Sequence, residues 1–319
     1  LSGFLITGIL LDEKSSKFSD YLRSFYMKRT LRIFPLFYAY LAFNFLILLV
    51  TGRSTEGYGW YLLYLQNYHI GLELNGSGSL PGIVAHTWSL AVEEQFYLVW
   101  PFLVYFVSRR QLAWTCVLLI IASPLARWAI LQNDGNVYLT NATLPSCLDM
   151  MAYGALLALL RTSDIGSKVA YVMFAIGCAL TGYAIFELGL GAFWEPQRWV
   201  KSAFYLFTAL AFIFGMAIWA VTVKPNANLV RMLTVRPLLF TGKISYGLYI
   251  WHFIIFLAVE KFAAKVNVPA MPLVAPLISL VLAYVVSTIS FYFFEIHFLR
   301  LKDKLVAKKR SAQFAEART

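Results

Sequence analysis

A run of about 20 apolar residues that must satisfy all its backbone polar groups inside lipid has few options other than a membrane-crossing α-helix. Runs of roughly this kind recur along the chain, at 33–50, 86–107, 112–131, 147–160, 169–187, 202–223, 238–260 and 273–298. Composition agrees, because 60% of the 319 residues are hydrophobic and 13% are charged, where soluble domains carry about 25%. The expected fold is an all-α, polytopic integral membrane bundle of about nine spans. The first span is partial: Leu1 to Leu11 is apolar but about half the length a crossing needs. No basic segment precedes it as in a signal peptide, so it reads as the end of a helix and the chain as a fragment. The expected organisation is one membrane domain over 1–299 and a basic tail over 300–319.

The basic residues punctuate these spans. Lys14, Lys17, Arg23, Lys28, Arg29 and Arg32 precede the 33–50 run, Arg109 and Arg110 follow 86–107, and Arg161 and Lys168 flank the next even boundary. Lys224, Arg231, Arg236 and Lys243 come next on that side, and seven Lys and Arg residues lie in the tail. Only Arg53, Arg127, Arg198, Lys201, Lys261 and Lys265 fall on the other side. The positive-inside rule makes the rich side, and with it the C-terminus, cytoplasmic. A net charge of +11 would suggest nucleic acid in a soluble chain. Here it is placed to set topology and touch anionic lipid, so membrane lipids and no nucleic acid are the expected partners. Cys116, Cys147 and Cys178 form no CxxC pair, and packing is expected of them instead of a disulfide or metal site.

Polar groups inside such spans need a reason. His86–Pro101, HTWSLAVEEQFYLVWP, carries His86, Ser89, Glu93 and Tyr97 at helical spacings of 3, 4 and 4, one face of a helix. Trp88 and Glu94 lie beside it. A carboxylate at the centre of a spanning helix costs roughly 2.5–3.5 kcal/mol on insertion scales. The default reading is a site lining a cavity; a Glu paired to an Arg for helix packing is the structural alternative. A second polar face, Ser245, Tyr249 and His252, lies on the 238–260 helix. There a satisfied core histidine competes with a functional one. Lys28, Arg29 and Arg32 stand where a basic segment enters the membrane, with Pro35 just beyond. Arg29 and Arg32 share a face and suit a phosphorylated ligand, or they anchor the helix in anionic lipid. Arg127 and Asp149, near the outer ends of their helices, are expected to pair structurally. The aromatics Tyr58, Trp60, Tyr61 and Tyr64 in the Gly- and Ser-rich segment 51–85 suit a membrane interface.

Taken together, these blocks resemble the acyltransferase-3 family of polytopic membrane O-acyltransferases. Leu1–Thr7 is similar to the end of its second helix, and Arg29-Thr30-Leu31-Arg32-Ile33-Phe34-Pro35 to its R-x-x-R-I-x-P motif. His86–Tyr97 resembles its T-W-S-L-x-V-E-x-x-F-Y signature. Cys147-Leu148-Asp149, then Gly242–Tyr246 with Leu248–His252, and Glu295 with Phe298, Leu299 and Arg300, match further blocks in order.

The resemblance implies transfer of an acyl group, usually acetyl, from cytoplasmic acetyl-CoA as co-substrate to a hydroxyl of a carbohydrate or lipid-linked sugar. The implied location is a bacterial inner membrane, with no metal required. Arg29 and Arg32, with Lys28 beside them, would bind the CoA. Glu93 and Ser89 would sit near the acceptor or orient a histidine, His86 is a weaker catalytic candidate, and Trp88, Tyr97, Ser245, Tyr249 and His252 would line the cavity. The family's proposed catalytic histidine lies on a first helix, in an R/K-x10-H motif that nothing in this sequence matches. A transporter or flippase of a sugar-containing or anionic substrate is the alternative class, since polar stripes in a helix bundle also describe transport pathways.

Overall fold

The computed structural model describes residues 1–14, 17–74, 82–133, 137–190, 196–223, 225–266 and 271–316. All regular structure among them is helical. Lys224 and Arg318 of the basic segments lie outside the described residues, as do the side chains of Arg198, Lys201, Lys308, Lys309 and Arg310. Among the described residues, seven helical stretches are long and apolar enough to cross a bilayer. The two other expected spans are also helical: α1 (Ser2–Glu13, 12 residues) and the 19-residue helix Trp88–Phe106. The chain divides into two compact units, Leu1–Phe18 with Leu63–Leu80 and Trp88–Met232, and Ser19–Leu62 with Pro81–Thr87 and Leu233–Thr319. Its elements in order are α1, α2 (Phe18–Val50), α3 (Tyr58–Leu62), α4 (Gln66–Leu74), a 3₁₀ turn (Gly82–Thr87) and α5 (Trp88–Phe106). They continue with α6 (Arg109–Asn133), α7 (Val137–Ala142), α8 (Leu144–Leu160), α9 (Asp164–Leu188), α10 (Pro196–Thr222) and α11 (Ala227–Leu233). Last come α12 (Arg236–Val266), α13 (Met271–Ser290), a π-helical turn (Phe291–Glu295) and α14 (Ile296–Glu316), which carries the basic tail on as helix.

In the first unit α8 is the hub, with α1, α6 and α10 packed on it. Small residues allow the close approach that holds apolar helices together where lipid gives no hydrophobic drive. A Cβ on Gly3 of α1 would fall 1.9 Å from the Met151 carbonyl oxygen, and one on Gly154 of α8 2.8 Å from the Phe4 nitrogen. Where α9 meets α10, a Cβ on Gly177 would stand 2.7 Å from the Ala209 carbonyl. Phe4, Tyr153, Leu157, Ala170, Phe212 and Trp219 fill the core between these backbones. Basic side chains close one end of the unit by capping helix carbonyls. Lys14 Nζ donates to Val107 O at 2.8 Å, Arg109 donates to Leu159 O at 3.2 Å, and Arg161 pairs with Asp12 at 2.5 Å. These residues come from three segments that the charge pattern assigns to the same side.

The expected Arg127–Asp149 pair forms and is fully buried, with nitrogen–oxygen distances of 3.1 and 2.7 Å. Every neighbour contributes. Arg127 Nε donates to Phe204 O at 3.1 Å, and its Nη1 donates to Ser146 O. Thr208 Oγ1 accepts from Arg127 at 2.6 Å and donates to Asp149 at 2.5 Å. Together these bonds lock α6, α8 and α10. A buried ion pair is tolerated only when its remaining donors and acceptors are met in this way.

In the second unit α2 runs unbroken through Pro35, which is tolerated where neighbours re-satisfy the backbone. Tyr246 OH donates to Ile33 O at 2.7 Å just before it. The four aromatics singled out in 51–85, of which Tyr64 belongs to the first unit, differ in exposure. Trp60 is exposed, but Tyr58 and Tyr61 are buried and stacked at 5.8 Å, and Tyr64 is buried. Burial pushes the Tyr58 phenol up to about 12, against the lowering effect of a backbone hydrogen bond from Phe45, so it stays a donor, and it bonds Leu41 O.

The π turn has a geometric effect. Ser287 and Glu295 are eight residues apart, which in an α-helix would leave them about 80° out of register. The extra residue of a π turn takes back about one 100° step. Both accordingly border Gly247 of α12, whose added Cβ would lie 3.0 Å from Glu295 Oε1 and 3.4 Å from Ser287 Cβ. Glu295 is buried and accepts a hydrogen bond from Ser290 Oγ at 3.0 Å.

Candidate functional site

The helical face read on α5 is present in part. Trp88 opens α5, where it is half-buried. Ser89, Glu93 and Tyr97 follow on the helix, and Glu93 is clasped by two hydroxyls: Ser2 Oγ donates to Oε1 at 2.8 Å and Tyr97 OH to Oε2 at 2.9 Å. With about four lone-pair sites, the carboxylate keeps room to accept a further donor. Two turns on from Glu93, Trp100 donates to Thr7 Oγ1 at 2.8 Å, so two polar links tie α1 to α5.

Gln95, on another face of α5, was not anticipated as part of the site. Its Nε2 donates to Asn67 Oδ1 at 2.8 Å and to Tyr64 O at 2.7 Å. Asn67 donates in turn to Ala142 O at 3.0 Å. Tyr64 adopts the left-handed conformation with φ 55°, uncommon for a bulky residue, and the Gln95 bond fixes its carbonyl. Only the Gly- and Ser-rich composition of the loop hinted at such a turn.

His86 does not join that face. It belongs to the 3₁₀ turn and to the second unit. Thr87 Oγ1 donates back to Val84 O at 2.7 Å, and the His86 carbonyl accepts the Tyr249 hydroxyl at 2.8 Å. The α-helix therefore starts at Trp88. The His86 ring lies among those of Tyr40, Tyr249, His252 and Phe253, with centroids 6.1, 5.3, 5.1 and 5.1 Å away. The two histidines, treated separately in the sequence, thus meet edge to face.

On α12, the Tyr249–His252 half of the expected face is used. Ser245 is exposed, with its hydroxyl turned back onto Gly242 O at 3.0 Å. His252 Nδ1 lies 2.8 Å from Tyr249 O and 3.1 Å from Leu248 O. A carbonyl can only accept, so Nδ1 is the donor in these contacts, on a side chain that is exposed. Tyr40, not singled out by sequence, and Trp251, named there only within the matched block Leu248–His252, complete the cluster with ring centroids 5.3 Å apart. Lys28 and Arg29 are half-buried on α2 and Arg32 is exposed. The basic group is thus presented along a helix flank, in keeping with its i, i+3 spacing.

Apolar helices that carry a hydroxyl-clasped carboxylate in one unit and paired imidazoles in the other describe a membrane protein with polar groups set on its apolar helices. The chain belongs to the acyltransferase-3 family, matching its acyltransferase domain over residues 1–293. Among curated relatives it is 25% identical to the O-acetyltransferase OatA of Staphylococcus aureus strain MRSA252, an alignment covering 99% of this chain and 54% of that protein. The same identity and coverages hold for OatA of strain NCTC 8325 / PS 47. The chain therefore spans about half the length of these relatives. No solved structure matches it.

Proposed function

We propose that this chain transfers an acyl group, most simply acetyl, from acyl-CoA on the cytoplasmic side to a hydroxyl of a carbohydrate or lipid-linked sugar at a bacterial inner membrane. Family membership over residues 1–293 supports the reaction class. The carboxylate of Glu93, held by two hydroxyls in a helix that otherwise favours lipid, is the structural observation that carries it. The CoA donor supplies a thioester. The acceptor O–H loses its proton to a base, its oxygen bonds the acyl carbon, the C–S bond breaks, and the thiol leaves with a proton. Exposed Arg32, half-buried Arg29 and neighbouring Lys28 fit phosphates, with guanidinium forks for the charge and a point cation beside them. Glu93 has acceptor capacity left for a hydroxyl or an imidazole N–H, which would orient the reacting oxygen or its base.

The decisive experiment uses the full-length protein in nanodiscs. Acetyl-CoA binding and thiol release are measured beside Arg29→Ala/Arg32→Ala and Glu93→Gln. Binding should be lost in the double variant, while Glu93→Gln should bind donor normally and transfer nothing. Unchanged donor binding in the double variant would leave the arginines as lipid anchors. Normal transfer by Glu93→Gln would remove that residue from the reaction.

A further inference from the structure

Among the described residues of the second unit, Asn44 and Trp251 each carry a buried polar group without a hydrogen-bond partner, one a turn from Tyr40 on α2 and the other packed on its ring. Asn44 is fully buried on α2, and neither its Oδ1 nor its Nδ2 has a hydrogen-bond partner among the described residues. The Trp251 Nε1–H is buried in the same condition. Native interiors leave few such groups, and each asks for an explanation. In a spanning helix the demand is stronger, because lipid offers no partner and an intramembrane polar residue marks a pathway or site by default.

Asn44 stands one turn beyond Tyr40 on α2, on the same side of the helix. Trp251 packs edge-on against Tyr40 at 5.3 Å and against Phe43 at 5.9 Å. Tyr40 also contacts His86, which contacts His252. His252 is exposed, so the cluster runs from an accessible imidazole inward to two unmatched donors and acceptors. An amide that offers both a donor and an acceptor, an indole N–H and a set of aromatic faces together suit a polyhydroxylated ring: hydroxyls meet the polar groups, and C–H faces meet the rings.

We propose that Asn44 and Trp251, flanking Tyr40, hydrogen-bond a hydroxyl-bearing sugar ring of the acyl acceptor and select for it. This rests on the acyl-transfer reading above and adds the residues that recognise the acceptor. A site built to bond a hydroxyl rejects an analogue lacking it far more strongly than an apolar pocket does, because its polar groups then stay unpaired.

The test uses two shape-conserving substitutions in the full-length protein. Asn44→Leu keeps the number and branching of the side-chain heavy atoms and removes the unmatched amide. Trp251→Phe keeps a ring against Tyr40 and Phe43 and removes the N–H. Acetyl transfer from acetyl-CoA is followed with a panel of methyl glycosides and their monodeoxy analogues, alongside acetyl-CoA binding and thermal unfolding. The expected result is a rise of about tenfold or more in the acceptor KM in each variant, with donor binding and melting temperature held. One deoxy analogue should serve wild type and Asn44→Leu equally well. An unchanged acceptor KM would overturn the proposal. So would a parallel loss of melting temperature, donor binding and transfer, which would make Asn44 and Trp251 packing residues. If the wild-type protein binds acetyl-CoA but acylates no glycoside, the carbohydrate reading of function falls, and this inference with it.

Discussion

At the residue scale, burial decides what a charge does. Arg127 and Asp149 satisfy each other and their surroundings so fully that they fit a lock between helices and not a reactive site. Removing one partner strands a buried charge, which costs ~3–5 kcal/mol. Asp149→Asn or Arg127→Met should therefore lower the unfolding temperature sharply in detergent, while the double replacement Arg127→Met/Asp149→Leu should recover much of the loss. If the double variant is as unstable as the sum of the singles, the pair does more than satisfy itself. Glu93 is the contrasting case, half-buried and held by only two hydroxyls. Tyr97→Phe removes one of them and leaves the ring in place. Transfer should fall by about tenfold, a contribution of order 1.4 kcal/mol, with the melting temperature little changed. A full-rate Tyr97→Phe protein would show that the clasp has no part in the reaction.

At the element scale, helix crossings depend on what glycine omits. An alanine at Gly3 would drive its methyl into the Met151 backbone, and neither backbone can yield without parting α1 from α8. The cost should reach about 3 kcal/mol, the upper range for overpacking, read as a drop in thermal stability. Gly182 on α9 has open space around its Cβ position, so Gly182→Ala should be neutral or stabilising by up to about 1 kcal/mol. Similar effects of the two substitutions would refute the close crossing. Hydropathy indicated that these helices exist. It could not indicate that the last span bears a π turn, because the signal for that turn is the fit of Glu295 and Ser287 against Gly247 on another helix.

At the scale of the whole molecule, the alternation of basic residues makes a topological prediction. With Cys116, Cys147 and Cys178 replaced, a cysteine at Arg53 should react with a membrane-impermeant thiol reagent in intact cells, and one at Arg110 only after permeabilisation. Labelling of both from outside would refute the orientation. The shared end of the first unit already gathers Lys14, Arg109 and Arg161 onto helix carbonyls or an aspartate, as that alternation requires. What the sequence determined by itself was everything written in local sums. The lipid-length apolar runs, their order, the basic punctuation and the 3.6-residue spacing of Ser89, Glu93 and Tyr97 all follow from near neighbours along the chain. The tertiary structure alone decided that His86 leaves the α5 helix for a 3₁₀ turn, that it meets His252, and that Tyr40 and Trp251 pack beside them. Those outcomes depend on contacts such as Tyr249 OH to His86 O. Such a contact joins residues far apart in sequence, and no periodicity along either segment encodes its energy.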